Sequence, residues 1–315
     1  MKLVFVYYAY ENQGSSLDLQ GYARAAREMG HEVIVYGVAN AKIPLDYSID
    51  LSGADAVVFV FEWTTDLLYG DRLDWLRLVS SVPRSRRVII DCDRRLAGLF
   101  KRSFPEATVH GTRWEKELDW PEADRNVDAS ISAFEVLKHF RTKDSDFPGT
   151  PYLKACPTRT AMWKHHHGGK PTIGIAWTGG TWKNAGSFRN MPLKEWQPIF
   201  DAVDANWVSL QYKDASKDIE GTPVVQYHFA TLTKDYDDTA ALVASCDLVI
   251  GVQTSVNHLA GALGVPNWIV LPTTSQWRYG ESYSDLTWYK SSRLYRKEAS
   301  WPVHTMASDL KAFFK

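Results

Sequence analysis

Cysteine is scarce. Cys92, Cys156 and Cys246 are the only three in 315 residues, and no two of them form a C-x-x-C pair. That excludes a disulfide framework and argues against a cysteine-built zinc site. A reducing, cytoplasmic setting fits. Long apolar runs are missing too, since none approaches the ~20 residues of a membrane span. The opening MKLVFVYYAYENQG has a short apolar part and no small-residue cleavage site, so it does not read as a signal peptide. Charge of one sign is also lacking: the formal net charge is −1, and the pI is about 6.8. Bulk electrostatic attraction to a polyanion is therefore excluded. There is no short-period repeat and no low-complexity tract.

What is present is core-forming material. Hydrophobic residues make up 45% of the chain and charged residues 23%, a balance that suits a globular protein with an ample interior. Strand and helix signals alternate. KLVFVYY, HEVIVYG, ADAVVFVFEW and RRVIIDCD are apolar runs that read as buried strands, with VDASIS a short late one. Between them LDLQGYARAAREMG and the stretch from Asp66 to Ser81 carry helical spacing. From Lys143 to Lys170 the rhythm gives way to a Pro-, Gly- and His-rich stretch, which reads as a linker with a solvated His165–His167 run. It then restarts with the strands PTIGIAWT, NWVSLQ, PVVQYH, DLVIGV and NWIVLP. The helices PLKEWQPIFDAV, DDTAALVASC, SVNHLAGALG and TMASDLKAFF lie among and after them. Repeated β-α-β predicts an α/β protein of two Rossmann-like domains, residues 1–150 and 151–315, each with a mostly parallel sheet.

Two junctions in the second half are polar where a buried strand hands over to a helix. In LVIGVQTSVNHLAGALGVP, the residues Gln253, Thr254, Ser255, Asn257 and His258 interrupt an otherwise apolar or Gly-rich segment. Ligands of open parallel sheets collect at the carboxyl ends of strands. A helix start there offers free N–H groups and a partial positive charge, which suits phosphate. Thr254 and Ser255 add hydroxyls, and His258 lies one turn in. The plain alternative is an N-cap with a core histidine. IGIAWTGGTWKNAGSFRNMPL repeats the logic with Thr178, Gly180, Thr181, Lys183 and Arg189. Its glycines allow close backbone approach, and its cations can neutralise phosphate. The plain alternative there is a solvated surface loop.

DTAALVASCDLVIGVQTSVNHLAGALGVPNWIVLP, followed by QWRYG and DLTWYKSSRLYR, resembles the C-terminal half of GT-B glycosyltransferases. The nearest likeness is to heptosyltransferase-like family 9 enzymes and to related domains that follow tetratricopeptide repeats in bacteria. GIAWTGG and FRNMPLKEW resemble the start of that half. The resemblance covers about Pro171 to Arg296, and the first half matches in architecture only. It implies a GT-B fold whose two domains face across a cleft, with the last helix crossing back to the first. It also implies a nucleotide-diphosphate sugar as donor co-substrate, with no other cofactor and no metal. Thr254, Ser255 and His258 would hold the diphosphate. Thr181, Lys183 and Arg189 would meet phosphates, Gln211 the base or ribose, and Asp238 and Thr239 would face the nucleotide pocket. The chain departs from the family at Gln253, where an Asp is usual, and at Asn257, where a small apolar residue is commoner.

Inverting sugar transfer to a hydroxyl acceptor needs a base and a stabilised leaving group. The base is expected from the first domain. Glu11 leads and Asp18 follows, in the loop after the first strand; Glu62, Asp91 and Asp93 stand at the ends of other strands. For each the plain alternative is a loop carboxylate or a cap. Between Arg84 and Arg102 seven basic residues, Arg94 and Arg95 among them, face only Asp91 and Asp93. This stretch would meet a polyanionic acceptor such as DNA or a phosphorylated glycan, or else is a solvated face. Three other readings stay open: a transferase acting on hydroxymethylated DNA bases, a nucleotide-sugar epimerase or hydrolase, and a non-catalytic nucleotide-sugar-binding module.

Overall fold

The computed structural model describes residues 2–9, 32–39, 56–60, 87–111, 129–131, 147–179, 189–232, 235–275, 279–280 and 284–315. The chain divides into two compact units, Met1–Leu67 with Trp75–Asp146, and Leu68–Asp74 with Phe147–Lys315. The two helices expected between residues 17 and 81 lie outside the described residues.

In the first unit the apolar runs become parallel strands. β1 (Lys2–Ala9) pairs with β2 (Glu32–Ala39). β3 (Ala56–Val60) pairs with β4 (Arg87–Asp91) and, on its other side, with the short β6 (Ala129–Ile131). β5 (Thr108–His110) lies outside β4, and α1 (Ala97–Ser103) stands between those two in sequence. Leu99 and Phe100 bury the inner face of α1, while Arg94 and Lys101 stay exposed.

The stretch read as a linker contains helix α2 (Pro157–His167). Pro157 sits in its first turn, where a missing N–H costs nothing, and Gly168 ends it at φ 70°. Four basic residues fill the last turn, where the helix's negative end favours them. The histidine run is therefore helical and partly packed. His167 stacks on Trp163 at 5.5 Å between ring centroids, and Trp163 stacks on Phe229 at 5.4 Å. His166 Nε2 lies 3.0 Å from the Tyr227 hydroxyl.

Then come β7 (Thr172–Ala176), a 3-10 turn at Leu193–Trp196 running into the short α3 (Gln197–Phe200), and β8 (Asn206–Ser209). The single helix expected around PLKEWQPIFDAV is broken because Pro198 has no N–H to continue the ladder. β9 (Val224–Gln226), α4 (His228–Thr231), α5 (Tyr236–Ser245) and β10 (Leu248–Val252) follow. After them run α6 (Ser255–Leu263), β11 (Asn267–Leu271), β12 (Asp285–Leu286), β13 (Tyr289–Arg296) and α7 (Val303–Phe313). The sheet order is β12-β13-β11-β10-β7-β8-β9, parallel throughout except for the edge strand β12. The chain builds outward from β7 through β8 to β9, then returns to the other side of β7 with β10. That is the doubly wound Rossmann order, and its switch point lies between β7 and β10.

One face of this sheet presents Ile173, Ile175, Leu248, Ile250, Val252 and Val270 to Trp196, Ile199, Met306 and Leu310. Each such side chain contributes roughly 1.5–3 kcal/mol on burial. α7 spends its apolar stripe here, with Met306 and Leu310 fully buried and Phe313 against Trp268. Cys246 is buried and its thiol pKa is pushed up to about 12 by loss of water. No helix among the described residues is long and apolar enough to cross a membrane.

The chain enters this unit along a segment fastened to the end of α6. Tyr152 N and Leu153 N both donate to Ala262 O at 2.9 and 3.0 Å, and Lys290 N donates to Gly149 O at 2.9 Å. Gly264, at φ 79°, closes α6 as the sequence predicts, and a side chain there would strike Pro151. Inside α6, a Cβ on Gly261 would lie 2.3 Å from the Tyr289 ring. Gly261→Ala is expected to cost about 1–3 kcal/mol through overpacking. The loss will appear in urea unfolding as a lower midpoint at unchanged slope. A midpoint equal to that of the natural chain would show that α6 and β13 are not in tight contact.

Candidate functional site

The switch point brings the ends of β7, β8 and β10 side by side. Beyond β7, Trp177 is buried and its carbonyl accepts from Met191 N at 2.9 Å. Thr178 pairs with the Gln211 side chain from the end of β8. In the orientation that satisfies both, the Gln211 amide nitrogen donates to Thr178 O at 3.0 Å and its oxygen accepts from Thr178 N at 3.0 Å. Gln211, expected near a base or ribose, thus braces a neighbouring strand end. Gly179 N donates to Asn190 Oδ1 at 3.0 Å. A Cβ on Gly179 would lie 2.5 Å from Thr254 Cγ2, so the β7 and β10 ends touch at a residue without a side chain.

Arg189 returns to this corner almost wholly buried, and its Nη1 donates to Gln253 O at 3.4 Å. Loss of water pulls its pKa below the usual arginine value, with smaller opposing effects from Tyr279 and Tyr212.

At the head of α6, Thr254 takes the N-cap position in extended conformation but makes no side-chain cap. Its hydroxyl donates instead to Asn257 Oδ1 at 3.0 Å. Asn257 faces inward and is fully buried. Its Nδ2 donates to Gly251 O and to Asn267 Oδ1, each at 3.2 Å. Asn267 Nδ2 in turn donates to Asn257 O at 2.9 Å and to Ser292 Oγ at 3.0 Å. The helix head is thereby pinned to β10, β11 and β13 by side chains, while Thr254 leaves the leading amides of α6 uncapped. Ser255 is half-buried at the first position. Gln253 is 2% exposed, and among the described residues nothing accepts from its Nε2.

His258 lies one turn in and is buried. Its Nε2 lies 2.9 Å from the Tyr279 hydroxyl, and its ring meets the Tyr289 ring edge-on at 6.0 Å. Arg296 Nη2 donates to Tyr279 O at 2.6 Å, which holds this tyrosine in place. The sequence reading does not single out Tyr279, the fourth residue of the QWRYG motif, or Asn190.

The remaining candidates are placed elsewhere or not described. Asp238 accepts from Arg159 Nη1 at 2.7 Å, and Thr239 Oγ1 donates to Ala230 O at 2.7 Å. Both polar groups thus tie α5 to α2 and α4. Burial raises the Asp238 pKa, against the pull of Arg159. In the first unit Asp93 caps the 3-10 turn Arg94–Leu96, accepting from Arg95 N at 2.9 Å and pairing with the Arg95 guanidinium at 2.9 Å. Asp91 ends β4, its side chain lying outside the described set. Glu11, Asp18, Glu62, Gly180, Thr181 and Lys183 also lie outside the described residues.

No family model matches the chain. It is similar to Protein FlbA of Caulobacter vibrioides, 31% identical over 223 residues, which are 65% of this chain and 37% of FlbA. The chain thus spans well under half the length of that curated relative. Among solved structures it is similar to a family 9 glycosyl transferase from Veillonella parvula, with TM-score 0.52 and 12% identity over 84% of this chain and 94% of that one. It is also similar to Escherichia coli heptosyltransferase WaaC with ADP-2-deoxy-2-fluoro heptose, with TM-score 0.49 and 15% identity over 82% and 98%. At these identities the likeness is one of fold: two α/β units of the GT-B kind, as the sequence resemblance implies.

Gly179→Ala is expected to push Thr254 off the N-cap position and to cost about 1–3 kcal/mol. Denaturant unfolding will measure the cost, and faster amide exchange at Ser255 and Val256 will locate it. Stability and exchange equal to the natural chain would mean that the two strand ends have slack.

Proposed function

We propose that this chain is an inverting glycosyltransferase that takes a sugar from a nucleotide-diphosphate sugar and gives it to a hydroxyl acceptor. The observation that carries the reading is the buried Arg189 guanidinium beside the uncapped head of α6, at the switch point of a doubly wound sheet. A guanidinium held at this corner is a donor of the kind that suits phosphate oxygens. A nine-residue helix adds its own positive end. Ligands of such sheets gather at this edge. The fold shared with the family 9 glycosyl transferase of Veillonella parvula supports the same reading.

Two linked phosphoryl groups suit the corner because its groups act as donors. In the reaction the acceptor oxygen attacks the anomeric carbon, the bond from that carbon to the phosphate oxygen breaks, and the nucleoside diphosphate departs. The developing charge falls on the oxygens nearest α6 and Arg189, where fixed donors stabilise the transition state more than the ground state. Thr254, Ser255 and Arg189 form the diphosphate seat in this reading, joined by Thr181 and Lys183. We assign Glu11 as the base that takes the acceptor's proton, ahead of Asp18, Glu62 and Asp91.

A thermal-shift screen against nucleotide-diphosphate sugars tests the donor. A donor at a hundred times its dissociation constant adds about 2.7 kcal/mol of stability. Glu11→Gln is expected to keep that shift and to lose transfer by about 100-fold or more. A chain that no sugar nucleotide stabilises would overturn the proposal. Donor consumption without any acceptor would turn it toward an epimerase or hydrolase. Donor binding without turnover would turn it toward a binding module.

A further inference from the structure

The second unit has a hollow at the edge where β7 and β10 begin, opposite the strand ends that meet α6. Its volume is about 560 Å³, within the ~300–1,000 Å³ usual for small-molecule sites. The last turn of α2, the last turn of α7 and the turn before β10 wall it. The proposed diphosphate seat lies at the other edge of the sheet.

Phe313 and Phe314 supply an apolar wall, their rings edge to face at 4.9 Å. Phe313 stays 44% exposed although Trp268 packs on it. Lys164 and Asp247 bring opposite charges to the same cavity. Neither makes an ion pair among the described residues, so they do not pair with one another. Lys170 beside them is already matched, by Asp204 at 2.8 Å. One Asp247 oxygen accepts from Thr172 N at 2.8 Å, which fixes the carboxylate at the start of β7.

His167 completes the wall. Trp163 stacks on its ring, and its Nε2 is buried with no hydrogen-bond partner among the described residues. Native folds rarely leave such a group unmet, and each exception calls for a reason. Loss of water keeps the His167 pKa below its usual value, so the ring is neutral and has a single N–H to give. Gly169, two residues on, has neither a positive φ nor a neighbour within 4 Å of an added Cβ. Its backbone is open to close approach.

We propose that this cavity binds a small zwitterion with an apolar side group, of the α-amino acid class. The carboxylate sits on Lys164 and accepts from His167 Nε2. The ammonium meets Asp247, and the side group lies on Phe313 and Phe314. A singly charged molecule would leave one of the two charges unanswered, whereas a zwitterion answers both. An apolar side group suits the aromatic wall because contact removes the apolar surface of each from water. The site is independent of the donor reading and stands or falls without it.

L-Phenylalanine is the probe, beside 3-phenylpropanoate, which lacks the ammonium, and 2-phenylethylamine, which lacks the carboxylate. NMR follows the backbone amides of Gly168 and Gly169, and calorimetric titration gives the dissociation constants. Phenylalanine is expected to shift both amides saturably, and each singly charged analogue to bind about tenfold or more weakly. Lys164→Gln and Asp247→Asn are each expected to raise the phenylalanine dissociation constant about tenfold or more, the asparagine keeping an oxygen for Thr172 N. His167→Phe keeps a ring on Trp163 and is expected to weaken binding. Lys164 is exposed, so Lys164→Gln keeps the test open if another variant does not fold. The proposal fails if phenylalanine moves neither amide, if either analogue binds as tightly as phenylalanine, or if Lys164→Gln binds as the natural chain does.

Discussion

The head of α6 is held by an amide, and the second unit is organised around that fact. Asn257 reaches across from the first turn of the helix to Gly251 on β10 and to Asn267 on β11, and Asn267 passes the link on to Ser292 on β13. Three parallel strands and one helix share a single buried polar network. Such a network is stabilising only when every member is satisfied, and it fixes one register because no shifted arrangement satisfies it. Its effect is to set the leading amides of α6 at a constant distance from the ends of β7 and β10. A site built on elements so located is more exact than one built on a loop.

The polar residues at the strand-to-helix junction therefore divide into two jobs. Thr254 and Asn257 serve each other, and His258 is occupied by Tyr279. Arg189 donates to the Gln253 carbonyl at the same junction. The same short stretch holds the fold together on one side and offers donors on the other. Packing at Gly179 and Gly251 shows how close the backbones come, since a methyl group at either would collide with a neighbour.

Much of the architecture was legible because parallel strands buried on both faces must be apolar throughout. TIGIA, LVIGV and NWIVL read as strands for that reason, and Gly264 marked the end of α6. α2 was not legible, because its stability comes from Trp163 stacking on Phe229 and from Arg159 pairing with Asp235 and Asp238. Those partners lie some seventy residues away, beyond the reach of local periodicity. β13 was missed as well, since YKSSRLYR alternates buried and exposed positions among polar residues at the sheet's far side. At the strand-to-helix junction the polar residues are legible in the sequence, but the direction of each side chain is not. Asn257 and His258 are polar residues in a polar-looking corner, yet their partners Asn267 and Tyr279 turn them inward.

The segment 147–153 clasps the trailing end of α6 through two amides on one carbonyl, with Pro151 seated on Gly264. A helix is stiff along its axis, so a pull on segment 147–153 moves α6 as a rod. The connection into this unit is in that sense a drawstring. Tension applied at one end of nine residues is felt as strain at the other, where the amides wait.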